Sequence, residues 1–283
     1  MRIILSRKGF DSSAGGFPSP ILPDGSLCSL PIPDEGSPVR YGDIAYEGIN
    51  LGELVSQLGG KPAWSCRGAH LDPDIRFDAL PRAYGWRPML GQSGSAQGHL
   101  RNEGVAVGDL FLFFGSFRPV ENVQGVWRFI PGQMTRQIIW GWLCVGEVLK
   151  IDELPSDALP WARYHPHFAY APDPHNTLYL AAEQLCLDGT AHAGAGVFPG
   201  VDNRLVLTAP EAKVQTYWHL PDFFAPSEES PGLSYHRRLD RWERVGEICR
   251  LRSAYRGQEF VFDVGEMKTP REWLRSVLAA SSK

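Results

Sequence analysis

The chain has 283 residues and a formal net charge of −4, enough for one large domain or two small ones and without the positive charge that sequence-independent DNA binding requires. Its 43% hydrophobic and 21% charged residues are ordinary for a globular protein, and no apolar run reaches the ~20 residues of a membrane span. Thirty glycines and twenty-three prolines favour turns over long helices.

Five scattered cysteines form no C-x-x-C pair, and no signal-peptide pattern precedes them. We therefore expect a reducing, cytoplasmic setting. In chain order, Arg2–Ser6 reads as a short buried strand. It empties into a long loop reaching Asp34, in which Pro18, Pro20, Pro23, Pro31 and Pro33 exclude a helix or a central strand. The loop sets two cations (Arg7, Lys8), three carboxylates (Asp11, Asp24, Asp34) and several hydroxyls beside Gly15 and Gly16, where φ > 0 and close approach of a ligand to backbone are permitted. Phe10, Phe17, Ile21, Leu22, Leu27, Leu30 and Ile32 are apolar anchors that argue against disorder. Such a loop carries a site or is a packed Ω-type loop, and its polar content favours the site.

Asn50 is placed to cap a helix over Leu51–Leu58, stopped by Gly59 and Gly60. In Arg67-Gly68-Ala69-His70-Leu71-Asp72-Pro73-Asp74, an imidazole stands two and four residues from carboxylates. That spacing suits an acid/base pair or metal ligands, and equally an Asx-type turn with solvated aspartates. Gly91-Gln92-Ser93-Gly94-Ser95 resembles a nucleophile elbow, but it lacks the final glycine and no strand is expected before it, so a flexible turn is the better reading. Further strands are expected at Asp109–Phe114, Val126–Ile130, Ile138–Glu147, Thr177–Leu180, Arg204–Leu207 and Glu259–Asp263. In His165-Pro166-His167, alternate residues of an extended backbone would point both rings to one face, with no third metal ligand evident. His175, His219 and His236 read as packed histidines.

A helix is also expected through His236–Cys249, from Leu239, Trp242, Val245 and Cys249 at helical spacing, although part of it could be strand. Thr269-Pro270-Arg271-Glu272 has capping-box spacing and opens the best-supported helix, with Trp273, Leu274, Val277 and Leu278 on one face. No P-loop is present, and Gly194–Gly200 misses the dinucleotide spacing. The proline-rich stretches 153–176 and 221–232 flank apolar runs too short for separate cores. The expectation is a single α+β domain over 1–283, strand-rich, with mixed or antiparallel sheets and few helices.

Two resemblances add to this reading. Gly108-Asp109 leading into Leu110–Gly115, and Gly141-Trp142 leading to Gly146-Glu147-Val148, resemble the small barrel of PUA-like, ASCH or EVE domains within 105–150. That likeness implies a base pocket with Phe113, Phe114, Phe117 and Trp142 as stackers; aromatic core strands of any sheet account for the pattern equally well. The block Ser6-Arg7-Lys8-Gly9-Phe10-Asp11-Ser12-Ser13 with Gly15-Gly16 is the more specific feature. It continues in Pro18-Ser19-Pro20-Ile21, Asp24-Gly25, Leu30–Asp34, His70–Asp74, Gly108–Gly115 and Gly257–Asp263. Together these segments resemble the Nmad3 family (nucleotide modification associated domain 3) across essentially the whole chain. The resemblance implies a role near nucleotide or base modification and defines no reaction.

The resemblance thus implies a nucleotide or nucleic acid as the expected partner. It would be held by Ser6, Arg7, Lys8, Ser12, Gly15, Gly16 and Asp24, with Asp11, His70 and Asp72 as general acid/base candidates. The alternative is a non-catalytic reader of a modified base in a PUA-like pocket. Cofactor, metal dependence and oligomeric state carry no deciding signal.

Overall fold

Ile3, Ile4 and Leu5 have no exposed surface in the computed structural model, which describes residues 1–170, 172–228, 230–246, 248–254 and 259–281. They form the middle of strand β1 (Arg2–Arg7). A strand covered on both faces reads as an unbroken apolar run, not as an alternation. The same holds for the first half of β4 (Leu110–Val123), buried from Leu110 through Phe117, and for most of β6 (Arg136–Lys150).

The remaining strands of this sheet are β2 (Ser19–Ile21), β3 (Met89–Gln92), β5 (Val126–Phe129), β7 (Thr177–Ala181), β8 (Ala195–Val197) and β9 (Glu259–Asp263). The nine strands run β9-β1-β4-β6-β7-β3, with β2 and β5 also on β4 and β8 on β6. β1 pairs parallel with β4 and antiparallel with β9, so the sheet is mixed. Smaller antiparallel pairs surround it, including Ile32–Pro33 with Ala69–His70. Strand-rich α+β architecture is therefore what forms. The expected PUA-like barrel does not: β4 and β6 are continued on both sides by β1 and β7, and the sheet stays open. Phe113, Phe114 and Phe117 at 0% exposure and Trp142 at 5% are core side chains and cannot stack on a base.

Helix α1 (Leu51–Gly59) matches the expectation: Asn50 Oδ1 accepts from the Glu53 N–H, and Gly60 closes the helix at φ +64. Helix α3 (Thr269–Leu278) forms one residue out of the expected frame. Lys268, not Thr269, is its N-cap, no side chain caps it, and Leu274, Val277 and Leu278 are buried. Helix α2 (Gly94–Asn102) is an addition. The helix expected over His236–Cys249 is instead a turn of 3-10 helix and two strands, Trp242–Val245 paired with Ile248–Arg252. Leu239 at 67% and Val245 at 39% are exposed while Cys249 is buried, so the apparent helical stripe is not one buried face. Arg204–Leu207 is no strand; it touches β6 through one bridge, Val206 to Ile138. Gly257 and Gln258 of the family block, and Glu247, lie outside the described residues.

The opening loop is packed. Phe10, Leu22, Cys28 and Leu30 sink into a second apolar cluster with Tyr41, Leu54, Val55 and Trp64. Phe10 meets Phe17 edge-on at 5.1 Å and Tyr41 at 6.1 Å. A third, smaller cluster gathers Met89, Ala162, Leu178 and Leu180. Among the described residues no helix is long and apolar enough to cross a membrane.

Candidate functional site

Where β1 ends, Arg7 and Lys8 emerge at the mouth of a cleft of about 410 Å³, within the size range of small-ligand sites. Asp11, His70, Asp72, the turn and first residues of α2 (Gly91–Ala96), His167 and Tyr170 complete its walls. The centre is Asp72. Its Oδ1 accepts from the Gly91 N–H at 2.6 Å and lies 3.3 Å from His165 Nε2. Its Oδ2 lies 3.5 Å from Lys8 Nζ and 3.8 Å from His70 Nε2. Lys8 also faces Glu259 Oε1 at 3.7 Å. Glu259 accepts in addition from Ser6 Oγ at 3.0 Å and from the Gln92 side-chain amide, while its Oε2 is buried without a hydrogen bond.

The two carboxyls are pushed apart by these surroundings. Burial drives the Asp72 carboxyl up, but Lys8 and the His165 contact outweigh it and hold Asp72 well below the ordinary carboxylate range. Burial raises Glu259, and Lys8 and Ser6 offset this only in part. Lys8 thus sits between a committed anion and a carboxyl biased towards its protonated form, the asymmetry by which a pair of carboxyls takes distinct acid and base roles.

The histidines are oriented from behind. His70 Nδ1 lies 2.9 Å from Asp34 Oδ2 and 3.1 Å from the Tyr170 hydroxyl, and Tyr170 stacks on the His70 ring. His167 Nδ1 faces Asn176 Oδ1 at 2.7 Å, while Asn176 Nδ2 donates to the His167 carbonyl at 2.8 Å. Burial lowers His70, opposed by Asp72, and lowers His167 to about 4. One ring nitrogen of each and an Asp72 oxygen lie within 4.8 Å of one another, the arrangement here that could hold a metal ion. Gly91 makes this packing possible: a Cβ there would fall 2.2 Å from His167 Cδ2.

Of the residues expected from sequence, Arg7, Lys8, Asp11, His70 and Asp72 share the cleft. Asp11 uses Oδ1 to accept from Ser13 N, Ser13 Oγ and Ala14 N at 2.6–2.9 Å, and its Oδ2 faces Arg7 at 3.8 Å, so it shapes the loop. Ser6 is buried beneath the cleft, holding Glu259. Ser12, Gly15, Gly16 and Asp24 do not line it. Asp24 Oδ1 binds Ser26 N and Oγ in a separate turn. Gly15 lies against the Phe10 ring, where a Cβ would come within 2.2 Å, so its smallness serves packing and not a ligand.

Asp72 and Asp74 are not solvated turn residues either. Both are buried, and Asp74 is paired with Arg82 at 2.6 Å. His165 and His167 do converge on Asp72, but from a 3-10 turn at Pro166–Phe168 and not from an extended backbone. A strand does precede Ser93, and α2 follows it. Ser93 has φ −148, ordinary extended backbone without the strain of a nucleophile elbow. Sequence reasoning missed Glu259, Gln92 and the α2 N-terminus. The strand–turn–helix reading of 89–102 was the available signal.

No curated protein and no solved structure matches the chain. A family model described as nucleotide modification associated domain 3 matches residues 2–263. The segments that converge on the cleft, from Ser6–Asp34 through His70–Asp74 to Glu259, all fall inside that match, and the chain belongs to the Nmad3 family.

Proposed function

We propose that the cleft binds a nucleotide, free or within a nucleic acid, and that His70 and Asp72, backed by the buried Glu259, act on it. The observation that carries this reading is the meeting of anion-binding and proton-handling groups on one cleft. Arg7 and Lys8 line the cleft together with the first turn of α2, where helix N–H groups and the dipole favour a phosphate. Asp72 is the fixed anion, His70 is a neutral imidazole aligned by Asp34, and Glu259, buried behind Lys8, is the carboxyl biased towards holding a proton. The family's name supports a nucleotide as the ligand class.

The test pairs binding with turnover. Mononucleotides and short oligonucleotides are titrated calorimetrically against wild type, Arg7→Ala and His70→Ala, and the mixtures are then analysed by mass spectrometry. Arg7→Ala should weaken binding about tenfold, the loss of one charge-assisted contact. His70→Ala should bind within about threefold of wild type and lose turnover by about 100-fold or more. Saturable binding with no product across the panel leaves a reader of a nucleotide. No saturation at millimolar concentration ends the proposal.

A further inference from the structure

We infer that His70, Asp72 and His167 form a binding site for one divalent first-row transition-metal ion, held by two imidazole Nε2 atoms and one carboxylate oxygen and facing the cleft. The argument starts behind the ligands. The Asn176 side-chain amide cannot be turned round, because its Nδ2 donates to the His167 carbonyl at 2.8 Å. Its Oδ1 therefore faces His167 Nδ1 at 2.7 Å, and that nitrogen must carry the proton. Asp34 Oδ2, an acceptor at 2.9 Å, assigns the proton of His70 to Nδ1 in the same way. Each ring therefore carries its free lone pair on Nε2; His70 Nε2 lies 3.8 Å from Asp72 Oδ2, and a ring nitrogen of His167 lies within 4.8 Å of both residues' ligand atoms.

Two imidazole nitrogens and a carboxylate oxygen gathered within 4.8 Å of one another offer a cation three donor atoms at once. Lys8 only partly fills that role: Nζ stands 3.5 Å from Asp72 and is shared with Glu259. An Nδ1–H bound to a carboxylate or amide oxygen is the usual support behind a metal-ligating histidine. Two imidazoles with one carboxylate suit zinc, iron, cobalt or manganese, not the all-oxygen preference of magnesium or calcium. Gly91 adds an independent sign of construction, since the absent Cβ is what lets the His167 ring reach the group.

The test needs no nucleotide, so it stands or falls apart from the proposal above. Full-length protein is dialysed against chelator and titrated with Co²⁺, followed by visible absorption, and with Zn²⁺ by calorimetry. One equivalent should bind, with d–d bands that indicate nitrogen ligands. His70→Ala and His167→Ala should each weaken binding at least about 100-fold. Asn176→Ala, which removes no ligand, should weaken it about 10- to 100-fold, and Asn176→Asp, which restores an acceptor, should recover most of it. His219→Ala is the control and should change nothing. If an alanine variant at a ligand does not fold, the wild-type spectrum and the Asn176 pair decide. Absence of a stoichiometric Co²⁺ spectrum, equal affinity in wild type and both folded histidine variants, or uptake of Mg²⁺ alone would overturn the site.

Discussion

His236 has no exposed surface, and both of its ring nitrogens are engaged. Nδ1 lies 2.9 Å from the Ser234 carbonyl, and Nε2 accepts from the Ala254 N–H at 2.8 Å. A carbonyl demands a donor and an N–H demands an acceptor, so only the neutral Nδ1–H tautomer fits. Burial, assisted by Arg241 and opposed by the Ser234 carbonyl, pushes the imidazole down to about 4. The unfolded chain takes up this proton near pH ~6.5. The stabilisation is therefore complete above that pH and is lost as pH falls towards 4, a contribution of about 3 kcal/mol. Urea unfolding at pH 7.5 and 4.5 should show wild type losing about 2 kcal/mol more on acidification than His236→Gln. An equal loss in both would mean that protonation at this ring does not oppose folding.

At the scale of elements, β3 and the 3-10 turn at Pro166–Phe168 meet through the bare Cα of Gly91 and the His167 ring. Gly91→Ala should therefore move the ring while leaving the sheet in place. We expect a loss of about 1–3 kcal/mol in denaturant unfolding, typical of overpacking, together with at least about a tenfold loss of Co²⁺ affinity. Unchanged affinity would show that the ring does not take part. Elements of this kind also mark where sequence reading succeeds and fails. β1, β9 and α1 were legible because their signals are local: apolar runs, the Asn50 cap and the Gly60 stop. α2 was hidden by Gly94, Ser95 and Gly98, poor helix formers inside a real helix. Leu239, in a 3-10 turn, and Trp242 and Val245, in a strand, kept helical spacing by coincidence. Half the site was legible in Arg7, Lys8, His70 and Asp72. Glu259 was not, because its meeting with Ser6 spans 253 residues and depends on β1 pairing with β9, which no local pattern records.

Across the whole molecule, the segments that line the cleft are continuous in sequence with all three apolar clusters. Phe10 and Leu30 belong to the loop cluster, Ile3–Leu5 and Leu110–Phe114 to the sheet, and Met89 and Ala162 to the third. Charged groups gather at this junction, Arg7 and Lys8 beside Asp11 and Asp72. The electrostatics of the junction are local. The chain carries −4 overall, and the cleft offers two cations, Arg7 and Lys8, which already face Asp11, Asp72 and Glu259. A ligand bound here can displace counterions at no more than about two phosphates, so single-stranded oligonucleotide binding should follow salt with a log–log slope no steeper than about −1.5. Anisotropy titrations from 50 to 300 mM KCl, on the order of the range over which such slopes are read, check this directly. Lengthening the oligonucleotide beyond a few residues should add little affinity, because among the described residues the cations lining the cleft are Arg7 and Lys8 alone. A slope steeper than about −4 would require a basic track outside the cleft, and would move the nucleic-acid contact away from the His70–Asp72–Glu259 group.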